Sequence, residues 1–276
     1  MTLGEFLHGE QIHIFACLPT SALTALVRKP RLLERIPGAK TVVLAAIPYR
    51  VSGETSNLAQ FARCRDYHAY AADLGQRCTV LLTEHHPGCA AVGFADHSPY
   101  DEVQAAALAG LGILGDNGLL ITERYSSYVF LFELVTTLTE AELESEGIPR
   151  GAGILRECEH CGACRRACPG NCVGGDRATC LSALSQKKAA LIEEETELLR
   201  RSPYVWGCDV CQDGCPHSRD AEDTKIPYFR ESRLGILTEE MLNGMSGEEY
   251  ACYAFGWRKK EVMARNLRLG KEKSHD

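Results

Sequence analysis

Two kinds of apolar spacing alternate along the first half of the chain. Thr41-Val42-Val43-Leu44-Ala45-Ala46-Ile47 is a continuous uncharged run ended by Pro48, the pattern of a strand buried on both faces. Ala90-Ala91-Val92-Gly93-Phe94-Ala95 is a shorter run of the same kind and leads straight to Asp96. Leu119-Leu120-Ile121-Thr122 and Tyr128-Val129-Phe130-Leu131-Phe132-Glu133-Leu134 read as two more strands, expected to pair with each other through the polar link between them. Helical spacing takes over elsewhere. It predicts a helix from Asn57 to about Gln76, with Leu58, Phe61 and Ala62 in its apolar stripe, and an Ala-rich helix from Asp101 to Ala109. A third is expected from Leu181 to Arg201, with Pro203 just beyond it, and the chain then ends in helices carrying Leu237, Met241, Leu242, Tyr250 and Trp257. Gly147, Gly151 and Gly153 mark a change of character near residue 150. The expected class is α+β, in three parts: a mixed α/β domain over 1–150, a segment over 151–222 and a helical segment over 223–276.

Composition narrows the setting. The N-terminus, Met1-Thr2-Leu3-Gly4-Glu5-Phe6, lacks the basic and long apolar stretches of a secretory signal, and no apolar run reaches the ~18 residues of a membrane span. A soluble cytoplasmic monomer without membrane contact is the expectation. A net charge of −7 disfavours broad nucleic-acid binding, which draws on Lys and Arg. It leaves room for a local basic face. Arg258, Lys259, Lys260, Arg265, Arg268, Lys271 and Lys273 offer either such a face or an ordinary solvated helix surface.

The cysteines carry the chemistry. Cys158, Cys161, Cys164 and Cys168 stand as Cys-x2-Cys-x2-Cys-x3-Cys followed by Pro169, the bacterial ferredoxin run, whose fourth Cys serves the other cluster. A second run, Cys208-x2-Cys211-x3-Cys215, is followed by Pro216. Two 4Fe-4S clusters need eight thiolates and the runs supply seven. Cys180, between them, is the best eighth, and Cys172 is its rival. The expected sets are Cys158, Cys161, Cys164 and Cys215 for one cluster, and Cys168, Cys180, Cys208 and Cys211 for the other. Gly162, Gly207 and Gly214 are expected to relieve crowding where backbone approaches a cluster. Structural zinc prefers paired Cys-x2-Cys sites, and disulfides need an oxidising compartment, so both fit poorly.

Two other patterns carry no function. Gly110-Leu111-Gly112-Ile113-Leu114-Gly115 matches the dinucleotide-binding string, but an Ala-rich helix precedes it and a strand-like segment follows, the reverse of the required order. His85, His86 and His97 match no standard metal spacing and read as surface or pocket residues.

Several strings together resemble epoxyqueuosine reductases. Phe61-Ala62-Arg63-Cys64-Arg65-Asp66-Tyr67-His68 is similar to the family's "ARGRDYH", and Phe94-Ala95-Asp96-His97-Ser98-Pro99 to "VDxxP". Ala109 to Asn117 resembles "AGLGxxGKN", Arg124 to Glu133 resembles "RxGSxxxLGE", and Arg265-Asn266 resembles the late "RN". The likeness spans roughly residues 40 to 270. It implies an N-terminal α/β sandwich that binds cobalamin, of nitroreductase or reductive-dehalogenase type, followed by a ferredoxin-like double 4Fe-4S domain and short C-terminal helices. It implies reduction of epoxyqueuosine to queuosine in tRNA, with electrons from a low-potential donor such as ferredoxin or flavodoxin.

The family's proton-donating Asp falls on Asp96, whose pKa would have to be raised, which burial beside Phe94 could provide. Arg63, Arg65, Tyr67, His68, Asn117 and Ser127 are candidates for contact with cobalamin or substrate. There are departures: Asp116 replaces a family Lys, Ser126 and Cys64 replace Gly, and Gly170-Asn171-Cys172 replaces "TGA". The chain also stops soon after the "RN" segment, so the C-terminal helical-repeat region of longer members is not expected. Two further readings stay open: an electron-transfer protein without its own substrate, and a cobalamin-dependent reductase of a non-tRNA substrate.

Overall fold

The computed structural model describes residues 1–272 and divides into two compact units. One unit comprises Met1–Pro48, Tyr67–His160 and Thr224–Ile226, and the other Tyr49–Asp66, Cys161–Asp223 and the chain from Pro227 onward.

The first unit is built on strands β1 (Ile14–Pro19), β2 (Thr41–Pro48), β3 (Ala91–Phe94), β4 (Ile113–Leu114), β5 (Leu120–Ile121) and β6 (Val129–Thr136). An antiparallel sheet runs in the order β1-β2-β6-β3. Every residue of β2 is buried, as its unbroken apolar run requires of a strand covered on both sides. Val42, Leu44 and Ala46 meet the Ala-rich Glu102–Leu108 helix through Ala105 and Ala106. The Tyr67–His85 helix covers the other face, where its Gly75 lies against Gly93 of β3, so close that a Cβ on either would meet the other's backbone at about 3 Å. Each fully buried Val, Leu or Ile contributes about 1.5–3 kcal/mol, and this two-sided core fixes the sheet.

One expected pairing is overturned. β5 pairs with β4, and β6 instead lies between β2 and β3 in the main sheet. The reason is that β6 is apolar on both faces and needs cover on both, whereas the two-residue β5 cannot supply it. The decoy Gly string runs from the Glu102–Leu108 helix into β4, the order that excludes a phosphate-binding turn.

The second unit gathers Leu58, Trp206, Leu237, Leu242, Tyr250, Phe255 and Met263 into one core. Two long helices expected from periodicity are each interrupted. The first breaks at Cys64–Asp66 between the helices Gln60–Arg63 and Tyr67–His85. There Arg65 forms a β-bridge with Tyr253 and the Asp66 amide donates to the Cys252 carbonyl at 2.8 Å, which holds the backbone extended. The second breaks between Leu181–Ser185 and Glu193–Arg201, where Arg265 takes the freed Lys187 carbonyl at 2.8 Å. Trp257 lies outside any helix and is exposed, with Arg258 stacked on its ring at 3.6 Å.

The basic C-terminal residues are divided in their use. Lys260 donates to the Leu242 carbonyl at 3.1 Å and Arg265 to main-chain carbonyls, whereas Lys259 and Arg268 are exposed. Lys273 lies outside the described residues, and of Lys271 only the backbone is described.

Candidate functional site

In the first unit the chain turns sharply where β3 ends. Asp96 adopts a left-handed φ of 58°, a conformation that Asp tolerates better than most residues, and this turns its carboxylate toward the start of the Tyr67–His85 helix. The Tyr67 hydroxyl donates to Asp96 Oδ2, and His68 Nε2 lies 3.4 Å from the same oxygen. The Tyr67 ring is stacked on Phe130 of β6 at 4.0 Å, which fixes the hydroxyl's aim. Lys29 Nζ lies 3.5 Å from the Asp96 carbonyl and 3.2 Å from His97 Nδ1.

The expectation of a buried Asp96 with a raised pKa is corrected. Its side chain is 59% exposed. Partial desolvation pushes the carboxyl up, but the hydrogen bonds from His68 and Tyr67, with the charge of Lys29 nearby, outweigh it and hold the group below the ordinary carboxylate range. Asp96 is therefore an anion flanked by donors.

Near this loop a buried and a half-buried carboxyl are both pushed toward the neutral form. Glu133 is wholly buried in β6 and accepts from the Ser98 hydroxyl; burial pushes it up to about 7. Glu102, at the first turn of its helix, is pushed up to about 8 by burial and by the nearby Glu133 and Asp96 carboxylates. Each has one buried oxygen without a hydrogen-bond partner. Glu133 had a visible signal, as the lone charge in an apolar strand; Lys29, distant in sequence, had none.

The other candidates scatter. Asn117 accepts from the Leu119 amide at 3.2 Å and leaves its Nδ2 buried and unpartnered, and Ser127 is buried. Ser126 has a φ of 50°, which accounts physically for a Gly at that place in the family string. Arg63 and Arg65 belong to the second unit. Arg63 is buried, its Nε on the Leu58 carbonyl at 2.9 Å, so its guanidinium serves the fold; Arg65 is exposed beside its bridge. His85 and His86 both hold Glu146, at 2.9 and 3.0 Å. Asp116 holds His160 Nδ1 at 2.7 Å, and a ligating atom from each of Asp116, Cys158 and His160 lies within 4.8 Å of the others.

None of the fourteen cysteines forms a disulfide. Cys164 sits on the Ala163–Ala167 helix and Cys211 on the Val210–Asp213 helix, while Cys215 precedes the Pro216–Ser218 turn and Cys158 pairs its amide with the Leu114 carbonyl. Cys168, Cys180, Cys208 and Cys211 lie close enough to act on one another electrostatically. Burial, and then the neighbouring thiols, push Cys211 up to about 12. Such a set holds four thiolates only around a cationic core, which is what an iron cluster supplies; the residues fit the group.

Gly162 and Gly207 adopt φ near +71°, and at Gly214 a Cβ would approach Ala167 Cβ to 2.8 Å.

A second layer of residues had no structural role assigned from the sequence. Asn266, buried, donates to the carbonyls of Ser185 at 2.7 Å and Val205 at 2.8 Å, and Ser185 Oγ accepts from the Gly207 amide at 3.0 Å. Together they tie the helix that begins after Cys180 to the strand of chain that delivers Cys208.

The 4Fe-4S double cluster binding domain family matches residues 157–218. Over the wider chain, the epoxyqueuosine reductase of Gloeobacter violaceus is 29% identical across 255 residues, 87% of this chain and 77% of that one. That of Synechocystis sp. is 28% identical over 78% of this chain and 76% of its own, and that of Bacillus cereus 27% over 87% and 65%. Among solved structures, epoxyqueuosine reductase from Streptococcus thermophilus superposes with a TM-score of 0.79 at 21% identity, covering 99% of this chain and 81% of that one. An epoxyqueuosine reductase with an epoxyqueuosine-modified tyrosine tRNA stem loop gives 0.77 at 20% identity over 98% and 80%. These structures share the fold. A mixed helix-and-sheet domain joined to a double-cluster domain defines an iron–sulfur oxidoreductase. Within that class, the chain is similar to epoxyqueuosine reductases over most of its length.

Proposed function

We propose that this protein reduces the epoxide of epoxyqueuosine in tRNA to give queuosine, using two 4Fe-4S clusters and cobalamin. The observation that carries the reading is the likeness to epoxyqueuosine reductases over 87% of the chain, together with the eight-thiol pattern it contains. The ligand sets remain those read from the spacing: Cys158, Cys161, Cys164 and Cys215 for one cluster, and Cys168, Cys180, Cys208 and Cys211 for the other. No helix among the described residues is long and apolar enough to cross a membrane.

Converting the epoxide to an alkene takes two electrons and two protons and releases water. Bound cobalamin would supply a low-valent metal that collects the electrons the clusters deliver singly. The residues fit such a group: the buried, unpartnered Asn117 Nδ2 suits an amide carbonyl of the corrin periphery, and Tyr67, His68 and Ser127 complete the candidate contacts. The protein's own part is the proton. Asp96 Oδ2, the Tyr67 hydroxyl and His68 Nε2 form one hydrogen-bonded group, so Asp96, resting as the anion, takes a proton from these donors and passes it to the opening alkoxide. A low-potential ferredoxin or flavodoxin is the electron donor this chemistry calls for.

The test is an anaerobic assay with reconstituted clusters, cobalamin, a strong reductant and undermodified tRNA, read by nucleoside mass spectrometry. Queuosine in place of epoxyqueuosine is expected. Full iron and bound cobalamin without conversion would redirect the activity to a non-tRNA substrate, and failure to retain cobalamin would leave only electron transfer.

A further inference from the structure

Of the nine cysteines between residues 158 and 215, Cys172 is the one that the two ligand sets leave over, and it does not stand apart from them. Cys168 is followed by a tight turn in which the Asn171 amide returns to the Cys168 carbonyl at 3.1 Å. Asn171 then takes a left-handed φ of 49°, which Asn accommodates, and this folds Cys172 back over Cys168. The Cys172 amide lies 3.4 Å from Cys168 Sγ, and the two sulfurs are 3.4 Å apart. The loop is held from the other side by the Gly175 amide on the Cys172 carbonyl at 3.1 Å. Cys172 also reaches Cys180 by a side-chain hydrogen bond, so its thiol lies between two members of one ligand set.

We propose that Cys172 is not a ligand but a positioning residue, whose S–H donates to the Cys168 sulfur and raises the reduction potential of the cluster that Cys168 holds. Two sulfurs in contact cannot each extend outward to a different iron of one cubane, so Cys172 cannot serve beside Cys168 in the observed loop. A hydrogen bond to a ligand sulfur draws off charge and favours the more negative, reduced cluster. Backbone amides already reach Cys168 from Gly170, Cys172 and Val173, and these remain whatever side chain stands at 172. The thiol adds a donor that a side-chain substitution removes alone.

This inference rests on the two-cluster reading, and the experiment separates the two. Wild-type protein, Cys172→Ala and Cys172→Ser are purified anaerobically, their iron is counted, and each cluster's potential is followed by EPR-monitored redox titration. Expected are equal iron in all three, one of the two potentials lowered in Cys172→Ala with the other unchanged, and recovery toward wild type in Cys172→Ser, whose hydroxyl donates in place of the thiol. Full iron with both potentials unmoved in Cys172→Ala would overturn the proposal, as would loss of iron in that variant, which would make Cys172 a ligand. Wild-type protein holding iron for one cubane only would instead overturn the two-cluster reading itself.

Discussion

Asp96 and Glu133 show how differently two carboxyls of one unit are treated. Asp96 is exposed and anionic because two donors aim at it, whereas Glu133 is wholly buried and accepts from the Ser98 hydroxyl. Asp96→Asn keeps a residue that accepts the left-handed backbone but removes the acid. We expect turnover to fall by about 10²-fold or more, the usual span of general acid catalysis, while iron content stays unchanged. Turnover near the wild-type rate would refute the acid role.

For Glu133 the folded pKa of about 7 exceeds the ordinary 4.5, so the native state binds the extra proton between these values. Stability from this group is full below pH 4.5 and is lost as pH rises toward 7. The loss reaches about 3 kcal/mol. Glu133→Gln should flatten that slope and raise the denaturation midpoint at pH 8 relative to pH 5; urea titrations at the two pH values measure it. An unchanged slope would place the titration elsewhere.

At the level of elements, the sheet shows what periodicity can and cannot read. β2, β3 and the Glu102–Leu108 helix fall where their apolar patterns put them, because burial of one segment leaves a local mark. The partner of β6 does not, since it depends on which helices are available to cover its two faces. Both helix breaks were hidden for the same reason: what holds Cys64–Asp66 extended is the backbone of Cys252 and Tyr253, nearly two hundred residues on. Arg265-Asn266 looked like a mere string and proves to be a clamp on the carbonyls of Leu184, Ser185, Lys187 and Val205. Asn266→Ala leaves two buried carbonyls without a donor, at about 1–3 kcal/mol each. Its denaturation midpoint should fall accordingly, and the variant should lose iron during purification faster than wild type. A variant as stable as wild type would show that water replaces the amide.

For the molecule as a whole, the iron inventory is the decisive measurement. Two cubanes require about eight irons per chain. Cys180→Ala should leave one cluster deficient while the other keeps its EPR signal; full iron in that variant would move the eighth ligand elsewhere.

By itself the sequence determined the iron–sulfur chemistry, because three thiols on one short loop converge on a metal core whatever the rest of the chain does. It determined equally which segments are buried, because burial is written in local apolar spacing. Only the tertiary structure decided that Asp96 is an exposed anion grouped with Tyr67 and His68, that Arg63 is spent on main-chain carbonyls, and that Cys172 leans on Cys168. Those outcomes turn on which groups the folded backbone brings within about 3.5 Å, a distance that spacing along the chain does not encode.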